Sequence, residues 1–243
     1  MNFPLVEDAP HKPGPLADAF MNKLDEEIHL HPFLSDPFVK RLSSPGKISR
    51  AEGAKFALLY YPHIFRTRLY QANALGICPD ERVQFVLAQI LHDEYGNGDP
   101  GRTHPGVYRK FLRALEVPES TYRHPPVFPE LAMYIETMMR LTQSGDWLAA
   151  AAAVGIASEW PIPKLYGNFL LGLRTIPGIT EDDLELFSSH IGIDEDHSEM
   201  MREALLPYAG TPAGQARLRE GVKVNLDARR VMMAGLYREV FGA

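Results

Sequence analysis

A short stretch near the C-terminal end of the chain, HIGIDEDHSEM at residues 190–200, carries polar side chains on an apolar helix face. His190, Asp194 and His197 stand at i, i+4 and i+7, so at about 100° per residue they share one stripe. The stripe also holds apolar residues: Phe187, Met201 and Leu205. A buried carboxylate is costly unless a positive charge compensates it, and flanking imidazoles are typical metal ligands. The pattern indicates a cation, although an exposed turn or an ion pair between Asp194 and a histidine would also explain it.

Two further segments hold candidate ligands. In ILHDEYGNGDPGRTHPGVYRKFL, an apolar helix ends near Glu94, the chain turns through glycines, and a helix restarts at His104. This turn brings Glu94 and His104 near each other. In ASEWPIPKLY, Glu159 ends an almost purely apolar helix. Each feature alone has an ordinary explanation, because carboxylates and histidines are common at helix ends. Only the segments taken together indicate a metal site.

Three carboxylates and three imidazoles result, with no thiolate: Glu94, Glu159, Asp194, His104, His190 and His197. Carboxylate oxygen with imidazole nitrogen suits Fe(II) or Mn(II) better than a structural zinc ion. Six ligands are too many for one ion that must keep a position open for a reactant. The set therefore favours two irons.

These residues resemble the haem-oxygenase-like di-iron oxidases and oxygenases, a branch of the superfamily that also holds haem oxygenase, thiaminase-like proteins and pyrroloquinoline quinone synthase. The family motif is a Glu followed by a His, a mid-chain Glu, and H-x3-D-x2-H on a late helix, and every position is filled here. The resemblance implies one iron held by Glu94, His104 and His190, and another held by Glu159, Asp194 and His197, with a carboxylate able to bridge them.

The resemblance also implies an activity. Its cofactors would be two Fe(II) ions, with O2 as co-substrate, and the enzyme would oxidise an amino acid or amine by C–C cleavage, desaturation or N-oxygenation in specialised biosynthesis. Fatty-acid oxidation is the alternative within the same family. Some amine-oxidising members carry an extra Glu upstream, and HIFRTRLYQANALG has no acidic residue there, which weighs against plain N-oxygenation. Arg66 and Arg68 in this stretch could bind a substrate carboxylate, but surface arginines are the simpler interpretation.

An HD-type metal-dependent phosphohydrolase is the main rival enzyme class. The dipeptide His92-Asp93, with His63 upstream, has the right residue types. That class leaves Glu94 and His104 without a function, and the basic residues expected around a phosphate are not clustered.

Other classes fit less well. A ferritin-like bundle needs two Glu-x-x-His motifs, and only Glu26 and His29 match. The glycine-rich loop lacks the Lys-Ser/Thr of a phosphate-binding loop. A non-enzymatic helical interaction module gives no reason for the six candidate ligands.

Helices must position these residues, because apolar residues recur with a helical period and almost no alternating strand pattern appears. The fold class is all-α, a compact haem-oxygenase-like bundle of about seven core helices plus short ones. The helix with the late motif is predicted from Thr180, its cap, to about Leu206. The full set of predicted spans is 16–31, 33–43, 49–76, 80–95, 104–116, 127–143, 145–159, 163–174, 180–206 and 211–241.

A chain of 243 residues with 45% hydrophobic content is sufficient for one domain, and no linker divides it. We predict a single domain over residues 15–243 after an extended, proline-rich arm at residues 1–14. The single cysteine, Cys78, excludes an internal disulfide, and we assign it no role.

The formal charge of −6, without a basic cluster, argues against a nucleic-acid surface. The N-terminus lacks a targeting pattern, and the alanine-rich stretch 148–157 is too short to cross a bilayer. We therefore expect a cytoplasmic protein with no membrane association. The partners considered are a small-molecule substrate, an external electron donor and a second copy of the chain in a homodimer.

Overall fold

A computed structural model describes residues 14–242, with side chains at all of these positions except 192–196. The chain folds into an assembly of helices. Within that range no β-strand is present, so the prediction of an all-α fold is confirmed. The α-helices are α1 Pro15–His29, α2 Pro37–Leu42, α3 Arg50–Ile77, α4 Glu81–Glu94, α5 His104–Ala114, α6 Glu119–Tyr122, α7 Pro129–Thr142, α8 Trp147–Ala151, α9 Ile162–Leu173, α10 Glu185–Leu205 and α11 Pro212–Phe241.

Short elements join these helices. They are 3-10 turns at Pro32–Ser35, Pro100–Arg102 and Leu206–Gly210, and a π-helical segment at Ala152–Ile156. The predicted arm falls on residues outside the described range, apart from Gly14, which precedes α1. The single-domain organisation stays a prediction. None of the helices in residues 14–242 is long and apolar enough to cross a membrane.

Local sequence signals set the ends of the helices that carry candidate ligands. Asp80 caps α4 by accepting hydrogen bonds from the backbone N–H groups of Arg82 and Val83, at 2.8 and 3.2 Å. Thr103 caps α5 through the N–H of Gly106, at 3.2 Å. Such caps satisfy N–H groups that lack a partner inside the helix. They therefore determine that α5 begins at His104.

The loop between α4 and α5 turns sharply because three consecutive residues have positive φ: Gly96, Asn97 and Gly98, at 85°, 54° and 86°. A Cβ at Gly96 would lie 2.4 Å from the carbonyl oxygen of Asp99. Only glycine tolerates both the backbone angle and this close approach. The turn returns the chain so that the start of α5 lies beside the end of α4.

The predicted start of the late helix is wrong by five residues. Thr180 and Asp183 form a reciprocal pair, in which the N–H of Thr180 donates to Asp183 Oδ2 at 2.9 Å and the N–H of Asp183 donates to Thr180 Oγ1 at 3.3 Å. This is the hydrogen bonding of a helix cap, but residues 181–184 form turns and α10 begins at Glu185. The pair satisfies the local backbone without requiring a helix.

An aromatic cluster packs α3, α5, α9 and α10 together. Phe187 of α10 lies 5.1 Å from Tyr166, 5.7 Å from Phe111 and 6.3 Å from Phe169 between ring centroids. Phe56 of α3 contacts Phe169 at 5.7 Å. Edge-to-face ring pairs add about 0.5–1.5 kcal/mol each beyond their burial. The cluster therefore holds the first turn of α10 in place, directly before His190.

Helix α11 approaches α8 closely at Gly221. A Cβ at this position would lie 2.1 Å from the carbonyl oxygen of Ala149. The contact is with backbone, so it cannot be relieved by a side-chain rotation. Close packing of α11 here depends on glycine having no side chain.

We predict that Gly221→Ala lowers the free energy of unfolding by about 3 kcal/mol, because the added methyl group forces α8 and α11 apart. Gly167→Ala is the matched control, since its Cβ meets nothing within 4 Å inside α9. It should leave stability unchanged or raise it by up to about 1 kcal/mol, as alanine favours helices. Urea unfolding measures both, and equal midpoints would contradict the close approach.

Candidate metal centre

Five of the six predicted ligands line one cavity: Glu94, His104, Glu159, His190 and His197. They come from the end of α4, the start of α5, the turn before α9, and the middle of α10. The sixth, Asp194, belongs to α10, but its side chain lies outside the described side chains. The cavity is small, about 40 Å³, which is room for a few water-sized groups. Tertiary folding thus brings together residues that are up to about a hundred positions apart.

Glu94 and His104 form the first pair in this cavity. Nδ1 of His104 lies 3.0 Å from Oε2 of Glu94, and Glu94 is only 6% exposed. The contact is not aligned as a hydrogen bond, and this oxygen has no hydrogen-bond partner among the described residues. Burial would raise the pKa of Glu94, but the His104 imidazole outweighs it and lowers that pKa. Burial would likewise lower the pKa of His104, but the Glu94 carboxylate raises it.

His197 lies between two carboxylates. Its Nε2 is 2.5 Å from Oδ2 of Asp93, and its Nδ1 is 3.9 Å from Oε2 of Glu159. Burial alone would lower the pKa of His197, but Glu159 and then Asp93 outweigh it and raise the pKa. Nε2 of Gln71 donates to Oε1 of Glu159 at 3.3 Å. Asp93 and Gln71 are therefore parts of the site that the sequence analysis did not assign to it.

A sequence signal existed for Asp93 only. It directly precedes Glu94, a predicted ligand, at the end of an apolar helix. By sequence alone, Asp93 is instead a candidate residue of the rival HD dipeptide. Gln71 gave no signal, because it lies on α3, far from the other ligands in sequence.

His190 is held as a neutral imidazole. Its Nδ1 lies 2.6 Å from the carbonyl oxygen of Leu186, one turn earlier in α10. Its ring contacts those of His104 and Tyr166, with centroids 4.4 and 5.7 Å apart. Loss of solvent, and then the nearby His104 imidazole, lowers the pKa of His190 to about 3. A backbone carbonyl that accepts a hydrogen bond from Nδ1–H keeps the proton on Nδ1 and leaves Nε2 as the nitrogen with a lone pair, as a metal ligand requires.

The π-helical segment before Glu159 is fixed by buried side chains. The carbonyl oxygen of Ala153 accepts hydrogen bonds from Asn225 Nδ2 at 2.6 Å and from Ser158 Oγ at 3.1 Å. Asn225 also donates to Ser158 Oγ at 3.0 Å. The predicted helix at 145–159 is therefore wrong in detail, because its second half is wound more widely. Single π-turns of this kind are frequent at functional sites, and this one sets the position of Glu159.

The residues fit a cation, although they do not form a ready-made ligand cage. Among the described side chains, no three His, Cys, Asp or Glu groups converge as a metal-binding cluster. Glu94 faces His104, and His197 lies between two carboxylates. The oxygen of Glu94 that lacks a hydrogen-bond partner is available to a cation. The 3.0 Å between Glu94 and His104 is also about the separation of adjacent donors at ~2.1 Å from one ion. Carboxylates and imidazoles are the donors that iron accepts.

The residues of the rival interpretations lie differently. His63 lines the cavity, but His92 is not among the described lining residues, so the HD arrangement is not brought together. Arg66 and Arg68 do not line it either. Arg68 instead lies over the rings of Phe65 and Tyr95, at 4.5 and 5.2 Å.

Comparison with known proteins agrees with this geometry. Residues 54–230, which include all six predicted ligands, match a family of iron-containing redox enzymes. The chain belongs to this family. A search among functionally curated proteins found no match. The predicted family resemblance is thereby confirmed at the level of iron-containing redox enzymes.

Solved structures show the fold. A domain of unknown function from Shewanella denitrificans with a heme oxygenase-like fold has 15% identity and a TM-score of 0.72, covering 90% of this chain and 92% of that one. A CADD-like protein of unknown function from Nostoc punctiforme has 18% identity and a TM-score of 0.70, covering 93% and 99%. A TenA homolog from Pseudomonas syringae pv. tomato has 15% identity and a TM-score of 0.70, covering 100% and 98%. The predicted haem-oxygenase-like fold is confirmed.

We predict that Asn225→Ala lowers the free energy of unfolding by about 1–3 kcal/mol, because a buried carbonyl loses a donor. Asn73→Ala is the control, since the 3.4 Å hydrogen bond from Asn73 to Thr142 also joins two helices but lies away from Glu159. That variant should lose about 1 kcal/mol or less. Urea unfolding of both variants measures the difference, and equal losses would show that Asn225 has no special role in holding the π-helical segment.

Proposed function

We propose that this protein is a non-haem di-iron oxidoreductase that uses O2 to oxidise a small organic substrate, with amino acids and amines as the leading substrate class. The supporting observation is that five of six motif residues, scattered over the sequence, line one buried cavity. Glu94, His104 and His190 would hold one Fe(II). Glu159, Asp194 and His197 would hold the other.

The bound irons would supply the electrons with which O2 is reduced. The chain supplies negative charge from Glu94 and Glu159, which would stabilise an oxidised metal, and it keeps both residues only 6% exposed. Burial of this kind strengthens each electrostatic interaction inside the site. The sequence alternative of an HD phosphohydrolase is not favoured, because His92 is not among the residues described as lining the cavity.

Asp93 and Gln71 would orient the ligands that they contact. Asp93 binds Nε2 of His197 and so leaves Nδ1 of the same ring facing Glu159. Gln71 donates to one oxygen of Glu159, Oε1, while the other, Oε2, faces His197. Partners of this kind fix the ring and the carboxylate, and their loss typically weakens metal binding by about 10–100-fold.

We predict that anaerobic loading gives close to two Fe(II) per chain. Glu94→Ala and His197→Ala should each lose bound iron and most O2 consumption while circular dichroism shows an intact fold, because other residues pack the helices. His92→Ala is the control and should retain iron. Loss of iron in His92→Ala, together with phosphatase activity in the parent, would instead favour the HD phosphohydrolase.

We predict that Fe(II) affinity falls as pH decreases. The raised pKa values of His104 and His197 mean that the metal-free rings keep their protons to higher pH than free imidazoles do, and iron must displace those protons. Acid therefore competes with the metal, by up to tenfold per pH unit for each proton displaced. Anaerobic calorimetry from about pH 8 to about pH 6, in two buffers of different ionisation enthalpy, measures both affinity and proton release. An affinity that does not change with pH would contradict ligation by these rings.

A further inference from the structure

Arg229 of α11 lines the same cavity as the candidate metal ligands, and it is only 2% exposed. Its Nε and Nη1 have no hydrogen-bond partner among the described residues. No described carboxylate lies within ion-pair distance of its guanidinium, since the ion pairs of the described residues involve other arginines. A permanently positive group is thus buried beside the site with no negative partner among the described side chains.

The described side chains around Arg229 are neutral. The phenols of Tyr134 and Tyr60 are near neighbours, and the ring of Phe33 has its centroid 5.8 Å from the guanidinium carbon. His63 packs between Tyr60 and Tyr134, at 5.0 and 5.2 Å between centroids. Burial, and then the Arg229 charge, lowers the pKa of His63 to about 3. Phenols and a neutral imidazole solvate the guanidinium in part, but they do not cancel its charge.

A buried guanidinium that lacks a counter-charge is unfavourable, because arginine does not lose its proton in proteins. Arginines are almost never fully buried unless they are paired. The cavity beside Arg229 can admit a small anionic group, and the planar guanidinium fork matches a carboxylate. The carboxylates of Glu94 and Glu159 repel any added anion, and imidazoles of His104 and His197 already lie beside them. Within the cavity, Arg229 is therefore the place for an external anion.

We propose that Arg229 binds the carboxylate of the substrate, which makes the substrate a carboxylic acid such as an amino acid and not a simple amine. The identity of this group as a substrate rests on the proposed function. The anion site itself does not depend on iron. Helices α3 and α11 would then hold the acid group, while α4, α5 and α10 present the candidate metal ligands to the rest of the molecule.

The first experiment compares ligands of equal length with the full-length protein, as purified and after iron removal. Calorimetry with hexanoate, norleucine, hexylamine and hexanamide should show both carboxylates binding at least about tenfold more tightly than the amide and the amine. The 15N-detected NMR signal of the Arg229 Nε–H group should shift with the carboxylates only. Tighter binding of norleucine than of hexanoate would identify an amino acid, and the reverse order would identify a simple acid.

The second experiment uses variants. Arg229→Gln should remove the preference for carboxylates and leave hexanamide binding unchanged, while Arg229→Lys should retain part of it. Arg230→Gln is the matched control, because Arg230 is the next residue of the same helix and is exposed. If Arg229→Gln does not fold, the lysine variant and the ligand comparison in the parent protein still test whether Arg229 binds a carboxylate.

Equal binding of hexanoate and hexanamide by the parent, or no binding of either, would overturn the proposal. So would a carboxylate preference that survives in a folded Arg229→Gln protein. Iron binding is measured separately. A carboxylate preference in a protein that takes up no iron would refute the di-iron function and leave the anion site standing. Iron uptake without a carboxylate preference would support the di-iron function and refute the anion site.

Discussion

The burial of carboxylates inside an apolar helical core is the constraint on which the rest of this structure depends. Glu94 and Glu159 are each only 6% exposed, and such groups are stable only when positive charge or hydrogen bonds compensate them. In the protein itself, His104 and His197 provide that compensation. A metal would provide it more strongly. The need to bring these charges together explains why several helices converge on one small cavity.

Residues outside the cavity hold the candidate ligands in position. The aromatic cluster around Phe187 fixes the first turn of α10, and the glycine-rich turn at Gly96 returns α5 to the end of α4. Asn225 holds the π-helical segment that precedes Glu159. None of these three residues lines the cavity itself. The site is therefore a property of the packed bundle and not of any single helix.

The negative and the positive side chains of the cavity come from different structural elements. Negative carboxylates from α4 and from the turn before α9 are paired with imidazoles, whereas the positive Arg229 on α11 is surrounded by phenols and the neutral His63. Such a division suits an enzyme that must bind a cation in one place and an anionic substrate group in another.

The sequence by itself determined the all-α class and most helix spans, because helical periodicity and caps are local properties of the chain. It also predicted six ligands, five of which line one cavity. It did not determine that α10 begins at Glu185, where a Thr180–Asp183 pair satisfies the backbone without a helix. It also missed Asp93, Gln71 and Arg229. An arginine on a long helix normally predicts a solvated face, and only the packing of α11 against α3 and the π-helical segment buried this one. Whether such a residue is buried depends on how the helices pack against one another, and no local pattern in the sequence predicts that packing.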